Sequence, residues 1–142
     1  MTDAPVTVLL VDDEPLNRDL LRRALIFDYE LLEASDAGEA LGLLERHGEI
    51  AVVVCDQMMP GRSGTDLARD IRGRWPDKVA VLLTGYEDAA EVAEARRDGA
   101  VFEVLAKPCL TEKIREGVER AVAEHERRRT STPAGGPLIS GG

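Results

Sequence analysis

Cysteine and histidine are scarce in this chain of 142 residues, with two of each. Cys55 and Cys109 show no ligand spacing and have no histidine nearby, so they read as reduced, packed thiols. His47 and His125 each stand alone among charged residues, which predicts solvated helix positions. Disulfides and a zinc centre are thereby excluded. Neither is needed, since a chain of this length can bury about 68–70% of its unfolded surface. Basic residues are also in deficit, 18 Lys+Arg against 27 Asp+Glu, for a net charge of -9. That sign repels nucleic-acid backbones and anionic lipid, so no direct nucleic-acid partner is expected. Long apolar runs are missing as well. Val8–Val11 and Ile50–Cys55 fall far short of the about 20 residues that cross a bilayer, and Met1–Pro5 has no basic, apolar leader pattern. No membrane partner and a cytoplasmic location are expected.

What is present is an alternation. Val6–Val11, Ile50–Cys55 and Val79–Leu83 are short apolar runs that read as strands buried on both faces, and Tyr29–Ala34 and Phe102–Ala106 are two further extended candidates. Helical spacing separates them. Leu16, Leu20, Leu21, Ala24 and Leu25 form the first stripe, and Asp36 with Glu39 resembles a capping box ahead of Ala40, Leu41, Leu43 and Leu44. Further helices are expected over about 65–74, over about 88–98 with Gly99 as the stop, and from a Thr111 cap along Ile114, Val118, Ala121 and Val122. Arg127–Arg129, mixed with Glu124 and Glu126, reads as a solvated helix end. From 130 to 142, ten of thirteen residues are Gly, Pro, Ser or Thr, a flexible tail or truncated linker beside one domain at 1–129.

Strand–helix alternation of this kind gives an α/β fold, a doubly wound three-layer parallel sheet with right-handed crossovers. Ligands bind such sheets outside the carboxyl ends of the strands. Four of the five strands here end on chemistry: Asp12-Asp13, Asp56, Thr84 and Lys107. The flavodoxin-like order 2-1-3-4-5 makes those ends consecutive neighbours about 4.8 Å apart. Three carboxylates gathered there repel one another unless a cation intervenes, and oxygen-only ligands suit a hard ion, Mg²⁺ ahead of Ca²⁺. Magnesium sites of this type usually serve phosphate.

Val11-Asp12-Asp13-Glu14, Cys55-Asp56-Gln57-Met58-Met59-Pro60-Gly61, Ser63-Gly64, Leu82-Leu83-Thr84-Gly85-Tyr86 and Ala106-Lys107-Pro108 resemble the signatures of receiver domains of bacterial two-component response regulators. The resemblance spans about residues 6–125 and implies Asp56 as phospho-acceptor, with Asp12, Asp13, Asp56 and the Met58 backbone carbonyl holding Mg²⁺. It implies Lys107 as the ammonium on a phosphoryl oxygen, Thr84 as a hydroxyl donor to another, and a cis Lys107–Pro108 bond. The partners so implied are a sensor histidine kinase or phosphotransfer protein and a downstream protein or fused output domain, with a homodimer left open. The domain would assist its own phosphorylation and dephosphorylation but turn over no external substrate. A haloacid-dehalogenase-type phosphatase wants a second Asp two residues after its nucleophile, and Met58 stands there instead.

Two positions set expectations of their own. The family usually carries an aromatic switch three residues before the lysine, where this chain has Val104; Phe102, two residues earlier and expected on the same strand face, either packs against the last helix, the reading preferred, or partly substitutes for the switch. The stretch from Gly99 to Lys107 is one residue longer than the common pattern, so a bulge or an extra turn is expected. Met58 and Tyr86, flanking the implied path of hydrolytic water, predict slow self-dephosphorylation. Gly61 and Gly64 are expected simply to permit loop turns.

Overall fold

Runs of Val, Leu and Ile too short to cover a helix face find their partners side by side in one sheet. A computed structural model of the chain describes residues 5–85 and 89–131. It places β1 (Thr7–Val11), β2 (Glu30–Ala34), β3 (Ile50–Asp56), β4 (Val79–Thr84) and β5 (Glu103–Ala106) in a single five-stranded sheet. Their order is β2-β1-β3-β4-β5, and every pair is parallel. The crossovers are α1 (Pro15–Leu25), α2 (Ala37–Arg46), α3 (Gly64–Arg74) and α4 (Ala89–Arg97), and α5 (Thr111–Ser131) closes the fold. Among the described residues no helix is long and apolar enough to cross a membrane.

The two-residue period of the strands divides the core into two layers. Leu9, Val11, Val53, Cys55 and Leu82 face α2, α3 and α4, while Val8, Leu10, Val52, Val54 and Val81 face α1 and α5. Each such fully buried side chain contributes about 1.5–3 kcal/mol, so alternation holds the strand register and, with it, the heights of the strand ends.

Several sequence expectations need correction. In α1, Leu21, Ala24 and Leu25 are buried, whereas Leu16 and Leu20 are 79% and 54% exposed. The five-residue stripe is wider than the strip of α1 that the sheet covers. His125 is buried, not solvated, because α5 lies across the turn before β4 and the ring Nδ1 donates to the Asp77 carbonyl at 2.7 Å. Arg128 likewise reaches the carbonyls of Pro76 and Lys78, so the helix end packs on the body at this residue. His47 pairs with Glu49 at 3.1 Å. The β4–β5 ladder is regular, and the extra residue is taken up in the turn after α4, where Gly99 has φ +91°.

Phe102 and Val104 do not share a face. Val104 packs with the α2–α4 layer, while Phe102, just ahead of the strand, packs with the layer containing Ile114, Val118 and Ala121. Strand alternation begins only at Glu103.

Gly61 does serve a turn, with φ +85°. Gly64 serves close approach instead: a Cβ there would lie 2.7 Å from the Asp56 carbonyl oxygen and 2.8 Å from Leu82. Gly64→Ala is expected to cost about 1–3 kcal/mol, as overpacking does. A denaturant midpoint unchanged from the parent would contradict this.

Candidate functional site

Four strand ends meet above the sheet. Asp56 is the last residue of β3, and its successor Gln57 continues the ladder by donating to the Leu83 carbonyl at 2.9 Å. Thr84 ends β4, and the Lys107 amide donates to the Thr84 carbonyl at 2.9 Å. Asp12 follows β1, its amide donating to the Ala34 carbonyl at 3.1 Å. Hydrogen bonds of the sheet thus reach the site residues themselves.

The carboxylates of Asp12, Asp13 and Asp56 each offer an oxygen within 4.8 Å of the others. Asp12 and Asp56 are 2% and 4% exposed, and Asp13 stands more open. Burial pushes the Asp12 carboxyl above the ordinary range; the neighbouring Asp56 charge adds to the rise, while the Glu14 amide, 2.9 Å from Oδ1, opposes it. Arg18 donates to the Asp12 carbonyl at 2.6 Å and also pairs with Glu33 on β2, holding the acid loop from its backbone side. Lys107 forms an ion pair with Asp56 Oδ1, an oxygen closed to solvent and without a further polar partner. The Lys107–Pro108 peptide is cis.

A buried carboxylate facing two further carboxylates, with a single lysine to offset their charge, fits a small hard cation. Oxygen is the only donor type in the cluster, which suits Mg²⁺ and excludes soft-metal preference.

Residues 8–119 match the family described as the response regulator receiver domain. The chain belongs to that family. Receivers of this kind are the regulated domains of two-component systems. The receiver resembles the hydrogenase transcriptional regulatory protein HoxA of Cupriavidus necator, 35% identical over 122 residues, covering 86% of this chain and 25% of HoxA. It also resembles the C4-dicarboxylate transport transcriptional regulatory protein DctD of Pseudomonas aeruginosa, 32% identical over 84% of this chain and 26% of DctD. The chain therefore spans about a quarter of the length of those relatives. Among solved structures, the response regulator receiver domain protein of Clostridium thermocellum superposes with a TM-score of 0.79 at 30% identity, covering 88% of this chain and 98% of that one.

The receiver fold brings together Asp12, Asp13, Asp56 and Lys107, and sets Thr84 beside Lys107 in the ladder. The Met58 side chain is exposed at the start of the loop after Gln57. Tyr86 lies outside the described residues. Phe102 stands away from Thr84, on the α5 side, whereas Val104 and Thr84 line one cavity of about 280 Å³ with Val92, Ala93 and Arg96. A second cavity, about 360 Å³, runs from Asp12 and Lys107 past Leu20, Pro108 and Cys109 to Ile114.

The sequence reading missed a buried polar pair at the base of the acid loop, Gln57 with Thr65. Their joint role depends on a contact eight residues apart across an irregular loop. The one sequence signal was Ser63 with Asp66, a capping box that places Thr65 in the first turn of α3.

Proposed function

We infer that this receiver accepts a phosphoryl group on Asp56 and passes the change on as a rearrangement of its surface. The observation that carries the reading is a buried carboxylate, Asp56, held between a lysine ammonium and two other acids. A carboxylate is a poor nucleophile toward an anionic phosphoryl group unless its charge is screened and the attack aligned. Asp12, Asp13, Asp56 and the Met58 carbonyl are the groups that would hold Mg²⁺, which when bound supplies charge neutralisation at the phosphoryl oxygens. Lys107 moves from the Asp56 carboxylate to a phosphoryl oxygen, and the Thr84 hydroxyl donates to another. With phosphohistidine as donor, the new P–O bond to Asp56 forms as the P–N bond breaks. The bond electrons remain on the histidine nitrogen, which takes up a proton.

The donor is a sensor histidine kinase or a phosphotransfer protein, and the setting is the cytoplasm. Leu16, Leu20 and Leu110, the last 66% exposed, give such a donor an apolar face around the cavity beside Asp12 and Lys107. The receiver runs through α5, which extends to Ser131 and so two residues past the expected boundary at 129, and the residues beyond lead toward a fused output domain or form a tail. The domain catalyses its own phosphorylation and dephosphorylation and turns over no external substrate.

Incubation with acetyl phosphate and Mg²⁺, followed by intact mass, tests this. One added phosphoryl group is expected, absent in Asp56→Asn and absent when Mg²⁺ is chelated. No gain from either acetyl phosphate or a purified kinase would overturn the reading.

A further inference from the structure

Gln57 and Thr65 carry polar side chains into the interior, yet neither belongs to the acid cluster. Gln57 Nε2 donates to Thr65 Oγ1 at 3.3 Å, and Gln57 Oε1 accepts from the Thr65 amide at 2.8 Å. The Thr65 hydroxyl donates onward to Glu91 Oε2 at 2.5 Å. Ser63 Oγ stands 2.9 Å from Thr65 Oγ1 and donates to the same Glu91 oxygen at 3.4 Å. A continuous hydrogen-bonded chain therefore joins the residue after Asp56 to the first turn of α4.

The two ends of that chain differ in freedom. The α3 end is fixed, because Gly64 packs its backbone directly on the Asp56 carbonyl and donates to the Gln57 carbonyl at 3.0 Å. The α4 end rides on the helix that follows the strand ending in Thr84. At its other terminus α4 is held separately. Arg69 pairs with the Asp98 carboxylate at 2.9 Å, and Arg72 reaches both that carboxylate and the Asp98 carbonyl. Beside α4 a cleft of about 280 Å³, open to solvent, separates Ala93 and Arg96 from Val104 and Thr84, while Val92 and Ala95 seat the helix on the core. Among the described residues, α4 is thus held by ion pairs at its C-terminal end, by Val92 and Ala95 on the core, and by the Glu91 carboxylate in its first turn. Toward β5 it faces an open cleft into which those first turns can shift.

We propose that the Glu91–Thr65–Gln57 chain is a latch that sets the resting position of α4 and opens when Asp56 is phosphorylated. The second half of this statement rests on the phospho-acceptor reading above. Movement of Thr84 toward a phosphoryl group draws the start of α4 with it, while Thr65 stays fixed against the Asp56 backbone. A hydrogen bond loses most of its strength within a few tenths of an ångström beyond its normal range, so this displacement breaks the Thr65–Glu91 bond. Glu91 and Thr65 are positioning residues, and Val104 needs no aromatic replacement for α4 to respond.

Amide hydrogen exchange on the full chain tests the latch. In Glu91→Ala and in Thr65→Val, each without phosphoryl donor, the α4 amides of Ala93–Ala95 are expected to exchange about tenfold faster than in the parent, as loss of a bond to a charged acceptor implies. Those of α5 are expected to be unchanged. Acetyl phosphate with Mg²⁺ should produce the same acceleration in the parent and little more in the variants, whose phosphoryl uptake by intact mass stays within about twofold. Glu91 is exposed, so its variant remains informative if Thr65→Val folds poorly. Unchanged α4 exchange in unphosphorylated Glu91→Ala would overturn the latch. A parent chain that gains no phosphoryl mass would overturn the phospho-acceptor reading instead, and the donor-free exchange would still decide whether Glu91 holds α4.

Discussion

Lys107→Ala is expected to slow phosphoryl uptake on Asp56 by about 10²–10³-fold, the usual effect of removing one preorganised charge from a developing anion. Lys107 meets Asp56 at a carboxylate oxygen that is shut off from water and has no other polar partner. An ammonium placed there has no solvent competitor, so its electrostatic contribution is larger than on an open surface. It also orients the attack, because the acceptor oxygen and the incoming group share one cation. The measurement is a time course of intact mass with acetyl phosphate at saturating Mg²⁺, compared with the parent. A rate within about twofold of the parent would mean that Lys107 offsets resting charge only and takes no part in transfer.

The second large effect is expected at Asp13. Three carboxylates with oxygens within 4.8 Å of one another repel, and Lys107 compensates only part of that charge. Asp13→Asn should therefore stabilise the cation-free domain by about 1–2 kcal/mol, a fraction of the full interaction of such charges at an effective dielectric constant of 20. The parent should instead gain about 2.7 kcal/mol from Mg²⁺ at 100 times its Kd, and the variant should lose most of that gain. Thermal midpoints with and without Mg²⁺ read both terms. Equal Mg²⁺ responses in parent and variant would remove Asp13 from the ion site.

Asp12 adds a pH signature to the same cluster. Its folded carboxyl holds a proton to higher pH than the unfolded chain does, because burial and the Asp56 charge disfavour ionisation. Between the ordinary carboxylate value of 3.8 and the raised folded value, the unfolded state has released more protons. Stability contributed by this group falls as pH rises through that window and is fully lost above it. Mg²⁺ should relieve the loss above the window, where Asp12 is ionised.

Much of the fold was legible because the three central strands, β1, β3 and β4, are buried on both faces, so composition alone marks runs such as Ile50–Cys55 and Val79–Leu83, while the edge strands β2 and β5 are only partly buried. The proximity of Asp12, Asp13, Asp56 and Lys107 was legible for the same reason, since each follows a recognisable strand and parallel order makes those ends adjacent. What was not legible depends on how helices are placed. The exposure of Leu16 and Leu20 reflects how far α1 reaches past the sheet, and the burial of His125 reflects where α5 crosses the turn at Asp77. Phe102 was assigned a face by extending strand periodicity one residue too far. The Thr65–Glu91 contact joins residues 26 apart on different helices, and no local pattern encodes it.

The central claim is that the phosphoryl group resides on Asp56 as an acyl phosphate, and chemical trapping addresses it most directly. Borohydride reduces an acyl phosphate to the alcohol, so the phosphorylated chain, reduced and then sequenced by tandem mass spectrometry, should carry homoserine at position 56. Asp12 and Asp13 should be intact in the peptides that contain them. Homoserine at another acid, or an unmodified position 56 in protein that has gained phosphoryl mass, would contradict the assignment.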